Sequence, residues 1–425
     1  MRTTETHRLT SLANGLRVAT EHMHGVRSVA LGVWIAAGSR SEPLEQAGIS
    51  HFIEHLLFKG SARYSSLDIA RIFDDMGGEP NASTSKENTL VNARFLDSDV
   101  ATAVEVIAEM VARPSFADLD QEREVVLEEV AMYEDSPPEL IHDDLAEVVF
   151  RGHPLGRPII GRTETLAGLD LAAVRAYHDT HYVNPGVVVT ACGKVDHEQL
   201  CELALEHFRP EPGAVVLRPA LSAPGFGHVA QFTRKDTEQY HVCLGGPGPR
   251  RNDDDRFAVF VVDNILGASW SSRLFQEVRE KRGLAYSVYS YTSQYSDAGL
   301  TAIYFGSREE AVGESMKVIL DVMGNLEQSI DEADVRHAKN HLKGQLVLST
   351  ESPSSRMHAL GRAIIMDVPV LTVDEVLERV EAVTVDDVKR AIRRYYDPRK
   401  WSATCIGPRL EPLQAVAGSY SWEER

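Results

Sequence analysis

A chain of 425 residues with 43% apolar and 25% charged residues has the profile of a soluble globular protein, too long for one ordinary core and expected to hold at least two domains. Its net charge of −19 argues against nucleic acid, because phosphate binding needs a basic surface, and would help attract cationic peptides. With no apolar run near the ~20 residues that span a bilayer, no signal-peptide core at the N-terminus and four scattered cysteines (Cys192, Cys201, Cys243 and Cys405), the expected setting is cytoplasmic, without a membrane.

The chain opens on a hairpin signal: residues 9–12, an Asn14-Gly15 turn, then 16–21. A buried strand follows at 28–37. Helical spacing covers 47–58 and 67–76, a second hairpin pairs 81–85 with 89–95, and long helices are predicted over 99–112 and 119–134. Residues 209–228, with four prolines and three glycines, read as a linker between an N-terminal unit at 1–208 and a C-terminal unit at 229–425.

An internal repeat supports that division. Val174, Tyr182 and Gly193 recur as Val388, Tyr396 and Gly407, and Asp135-Ser136-Pro137 recurs as Glu351-Ser352-Pro353. Hairpins interspersed with helices predict an α+β fold of two homologous repeats, each a mainly antiparallel sheet packed with helices.

The chemistry concentrates in AGISHFIEHLLFKG, residues 47–60. On a helix, positions i, i+3 and i+4 share a face, so His51, Glu54 and His55 project together. Two imidazoles one turn apart can share one zinc ion, and the carboxylate beside them can act on a water. Ile53, Leu56 and Leu57 make this helix a buried one, where such polar groups are costly unless something charged satisfies them.

Catalytic zinc takes three protein ligands, so a third is expected elsewhere. Over 119–134 a helical wheel places Glu122, Val125, Val126, Glu129, Val130 and Tyr133 on one side, so Glu122 and Glu129 fall within the apolar stripe. His337 and His341 are also spaced i, i+4, but Arg336, Lys339 and Lys343 beside them would repel a cation and read as a solvated face.

HFIEH followed by Glu122-x6-Glu129 resembles the inverted-zincin peptidases, the family of pitrilysin, the insulin-degrading enzyme and mitochondrial processing peptidase. LANGLRVATE, AGSRSEP, HPLGRPIIG and REKRGLAYSVYS extend the resemblance along the chain, toward the smaller, processing-peptidase-like members.

The resemblance implies a zinc endopeptidase with one Zn2+ per chain. His51, His55 and Glu129 would be the ligands, Glu54 the general base and Glu122 a carboxylate near the metal. It also implies substrate contact by Arg279 and Tyr286, and a substrate-binding edge strand at Asn81 and Ala82. Without it, Arg279 reads as an ordinary helix residue and Tyr286 as a packed strand aromatic.

Shifted by 216 residues, Glu122 meets Ala338 and Glu129 meets Gln345, so the second repeat is expected to lack the ligands. Little glycine stands at Gly267-Ala268, where the family's regulatory subunit has a long glycine-rich loop; the chain thus looks like a catalytic subunit. The resemblance further implies a homodimer, or a heterodimer with a catalytically silent relative. A catalytic subunit needing a partner for activity and a non-proteolytic scaffold are the alternative readings.

Overall fold

The structure, a computed structural model, describes residues 7–184, 186–208, 228–414 and 422–424; the expected linker lies, but for His228, outside the described residues. The first hairpin forms where the turn residues place it. Gly15 takes φ +82, a left-handed value that glycine adopts without strain, and Asn14 Oδ1 accepts the Leu16 N–H at 3.2 Å. In chain order the first sheet contains β1 (His7–Ser11), β2 (Arg17–His22), β3 (Ser28–Ile35), β4 (Glu79–Thr84), β5 (Thr89–Leu96) and β6 (Val187–Gly193). Their spatial order is β1-β2-β6-β3-β5-β4, and among the described strands of this sheet β2 with β6 is the one parallel pair.

Beyond Ser28, strand β3 carries no polar side chain, because both of its faces are covered. Val29, Leu31, Val33 and Ile35 share a core with Ile49, Phe52, Ile53 and Leu56 of helix α1 (Ile49–Leu57). The same core takes residues from α2 (Ser66–Asp75), α3 (Val100–Ala112) and α4 (Leu119–Glu134). On the opposite face Ala30 and Trp34 meet Met357, Leu360 and Ile364 of the helix Pro353–Ile365. The indole N–H of Trp34 donates to Thr190 Oγ1 at 2.9 Å, and a Cβ at Gly361 would stand 2.0 Å from that nitrogen.

The second sheet repeats the plan. It contains β7 (Ala230–Arg234), β8 (Tyr240–Pro247), β9 (Ala285–Gln294), β10 (Gly299–Ser307), β11 (Ser402–Gly407) and β12 (Trp422–Glu424), in the order β12-β7-β11-β8-β10-β9. From β2 and β7 onward the two orders match strand for strand, including the parallel pairs β2 with β6 and β7 with β11. The outer strands differ: β1 is the antiparallel arm of a hairpin, whereas β12 joins β7 in parallel from the far end of the chain. This is an α+β fold of two repeats with mixed, mainly antiparallel sheets.

The strands fall on either side of 209–228, but the compact units are not contiguous stretches. One comprises the described residues within Met1–Ala131, Arg157–Ala220 and Val347–Thr372; the other comprises those within Met132–Gly156, Leu221–Leu346 and Val373–Arg425. Helix α5 (Pro137–Val149), in the first half of the chain, buries Ile141 and Leu145 beside Cys243 and Ile406 of the second sheet. Its repeat counterpart, Pro353–Ile365, covers the first sheet as described above. A division at 208/229 assigns both helices to the wrong unit. Each has one apolar face, which demands a sheet to cover but does not specify which sheet.

No helix among the described residues is long and apolar enough to cross a membrane.

Candidate metal centre

Helix α1 buries Ile49, Phe52, Ile53, Leu56 and Leu57, so its other side carries His51, Glu54 and His55 together. Gly48, at φ +98, turns the chain into the helix, and the Glu42 carboxylate accepts the N–H groups of Gly48 at 2.8 Å and Ser50 at 2.9 Å. A carboxylate there satisfies first-turn donors and sits at the positive end of the helix dipole.

Helix α4 buries Glu122, Val126 and Val130, positions spaced by four. The expected stripe was too wide: Val125 is 48% exposed and the Glu129 side chain 45% exposed. Glu129 stands on the flank of the buried stripe rather than within it, and from there its Oε2 lies 3.3 Å from His55 Nε2 and 3.8 Å from His51 Nε2.

Glu122, by contrast, lies behind His55. Its Oε1 is 3.0 Å from His55 Nδ1, and its Oε2 pairs with Lys59 Nζ at 2.6 Å. That bond makes Nδ1 the protonated nitrogen and turns the Nε2 lone pair toward Glu129. His51 Nδ1 is buried without a hydrogen-bond partner, and burial, with the neighbouring His55, lowers the His51 pKa to about 4, so the ring stays neutral.

The donor set fits zinc. The ligand atoms of His51, His55 and Glu129 all lie within 4.8 Å of one another. Tetrahedral zinc with nitrogen and oxygen ligands at about 2.0–2.2 Å separates neighbouring donors by roughly 3.3 Å, close to the spacing from Glu129 to each imidazole.

Glu54 does not join this trio. It accepts from Thr84 Oγ1 at 2.5 Å and from the Thr84 backbone N–H, and burial raises its pKa above the usual carboxylate range. Thr84 ends β4, the outermost strand of its sheet, where Asn81 and Ala82 also lie. The Ala82 N–H bonds to the Asn81 side chain at 2.9 Å, which marks it as a group on the outer edge of the ladder.

Arg279 and Tyr286 belong to the other unit and meet each other there. The Arg279 guanidinium stacks 4.5 Å from the Tyr286 ring centroid and 4.7 Å from that of Phe275. Tyr286 is 79% exposed on β9, the outermost strand of its sheet, so the packed-aromatic reading is overturned. Both residues line a cavity of about 370 Å³ with Gln239, Glu280 and Arg308.

Gly267 presses against β9, where a Cβ would come within 2.4 Å of the Ser290 nitrogen, so that glycine serves packing. His337 bonds to Ser271 Oγ at 3.0 Å and His341 to the Asn264 amide at 2.7 Å. Sequence reasoning missed Glu42, Lys59 and Thr84 around this centre. Only Glu42 left a signal, an acid six residues before the glycine that opens α1.

Known proteins resemble this chain along most of its length. The model of the insulinase family, peptidase family M16, matches residues 17–163, and that of the peptidase M16 inactive domain matches 168–342. An uncharacterized zinc protease of Streptomyces coelicolor is 40% identical, over 96% of this chain and 91% of its own length. A probable mitochondrial-processing peptidase subunit beta of Arabidopsis thaliana is 30% identical, over 94% of this chain and 78% of its own. A solved peptidase M16 inactive domain from Pseudomonas fluorescens shares the fold with a TM-score of 0.88 and 22% identity, over 95% of this chain and 98% of that one. This chain belongs to peptidase family M16, the insulinase family, which includes processing-peptidase-like members.

Proposed function

We propose that this chain is a zinc-dependent endopeptidase in which His51, His55 and Glu129 hold one Zn2+ and Glu54 moves protons. The observation that carries this reading is the convergence of two imidazole nitrogens and a carboxylate oxygen within 4.8 Å, with a second carboxylate on the same face of α1. The names of the Streptomyces and Arabidopsis relatives support it.

Zinc bound there supplies Lewis-acid chemistry, acidifying water and polarising a peptide carbonyl. Glu54, its proton affinity raised by burial, takes the proton of the attacking water and returns it to the leaving amine. Two donors from Thr84 hold its carboxylate in place. An extended peptide adds to the outer edge of β4 beside Asn81 and Ala82 through backbone hydrogen bonds. Arg279 and Tyr286 are assigned to substrate contact on the family resemblance, and a second copy or a catalytically silent relative is the proposed partner.

Glu54→Gln tests the reading. It should retain zinc while hydrolysis of a quenched peptide falls by about 10²–10⁴-fold. Unchanged hydrolysis by that variant, or wild-type protein that neither contains nor takes up a transition metal, would overturn it.

A further inference from the structure

Residues 38–46 form a strap that touches both the edge-strand hairpin and the start of α1. At one end the strap is locked to the turn between β4 and β5. Ser39 N–H donates to Ser85 O at 3.1 Å, Arg40 N–H to Lys86 O at 2.8 Å, and the Arg40 guanidinium pairs with Glu87 at 2.9 Å, both side chains almost wholly buried. Gly38 fits because a Cβ there would stand 2.2 Å from Ser85 O.

Two residues past Arg40, the Glu42 side chain, buried to 4% residual exposure, spends one oxygen on the Gly48 N–H and the other on the Ser50 N–H. Its own carbonyl accepts Arg157 Nη1 at 2.8 Å. The geometry requires glycine at 48: φ is +98, and a Cβ would meet the Gly161 Cα at 2.8 Å.

Ser50 is the residue before His51. The His51 ring has no hydrogen bond on Nδ1, whereas Glu122 holds the His55 ring. On the Nδ1 side nothing polar orients His51, and its Nε2 has only Glu129 Oε2 at 3.8 Å, so the backbone that carries the ring sets its aim. Helix α1 is only nine residues long, so a change in its first turn reaches Glu54 and His55 as well.

We infer that Glu42 is a positioning residue: through the first turn of α1 it sets the aim of the His51 ring, while Arg40, on the same strap, sets the hairpin whose Thr84 holds Glu54. This rests on the proposal that His51 is a metal ligand.

The test uses the full chain with Glu42→Ala, Glu42→Gln and, as control, the exposed neighbour Glu45→Ala. Metal-free protein is followed by amide exchange of the Gly48 and Ser50 N–H groups, and zinc affinity is measured by competition with a chelator. Glu42→Ala should speed exchange at both amides and weaken zinc binding by about 10–100-fold, the range found when partners that orient a ligand are lost. Glu42→Gln, which keeps one acceptor oxygen, should fall between, with kcat reduced more than KM is raised, and the control should match wild type.

A purely structural role would lower the melting temperature but leave the zinc affinity of folded protein unchanged; that result overturns the inference. If Glu42→Ala does not fold, Glu42→Gln decides, and wild-type exchange and affinity in that variant overturn it. Wild-type protein that takes no zinc would defeat the metal reading alone, since the amide-exchange arm still reports what Glu42 does to α1.

Discussion

Removing the carboxylate behind His55 is the sharpest test of how the metal centre is built. Glu122 is almost wholly buried and divides its oxygens between His55 Nδ1 at 3.0 Å and Lys59 Nζ at 2.6 Å. In Glu122→Ala the imidazole loses its acceptor. Its side chain is 23% exposed, so water replaces the bond only in part and the ring is free to change tautomer. A hydrogen bond to a charged group contributes about 1.5–3 kcal/mol. A 10–100-fold loss of metal affinity corresponds to about 1.4–2.7 kcal/mol, so the two scales agree.

The expected result is therefore a zinc dissociation constant raised 10–100-fold, measured by chelator competition at neutral pH. Glu122→Gln, whose amide oxygen can still accept from Nδ1, should lie between wild type and Glu122→Ala. Wild-type affinity in Glu122→Ala would refute the reasoning. Equal losses in the two variants would also refute it, by showing that charge rather than ring orientation matters.

His51 predicts how the metal-free protein responds to acid. Its folded pKa, about 4, lies below the unfolded value near 6.5, so this contribution to stability is present above pH 6.5 and lost as pH falls from there toward 4, amounting to about 3 kcal/mol at most. Chemical denaturation of chelator-treated wild type and His51→Asn across that window should show a flatter profile in the variant; parallel profiles would rule the group out. Thr84→Val removes a donor that lowers the Glu54 pKa, so the acidic limb of the kcat/KM profile should move to higher pH, and an unmoved limb contradicts the contact. Gly361→Ala forces a methyl against the Trp34 indole and should cost about 1–3 kcal/mol or more in urea unfolding, whereas a neutral result would mean that the helix and sheet are not packed as described.

Local periodicity made much of this protein legible. The spacing of His51, Glu54 and His55 leaves one way to share a helix face, and the buried apolar residues around them orient that face. The second repeat was legible because its Tyr and Gly positions recur at an offset of 214 residues and its Pro at 216, and the matching strand orders agree with it. The same pattern reasoning widened the α4 stripe to include Glu129, because a wheel at 100° per residue ranks angles without knowing where the neighbouring helix crosses.

What the sequence determined by itself was therefore what each element must bury and which side chains travel together on it. Tertiary structure decided the rest: that Glu129 reaches the two imidazoles while Glu122 turns away to His55 and Lys59, that Thr84 on an edge strand holds Glu54, and that Glu42 caps the helix. It also decided that α5 and Pro353–Ile365 each cover the sheet of the other half of the chain. The physical reason is common to all of these. An apolar face states that it needs a partner, and a carboxylate that it needs a donor or a cation, but the choice among partners dozens of residues away is made only when the whole core packs.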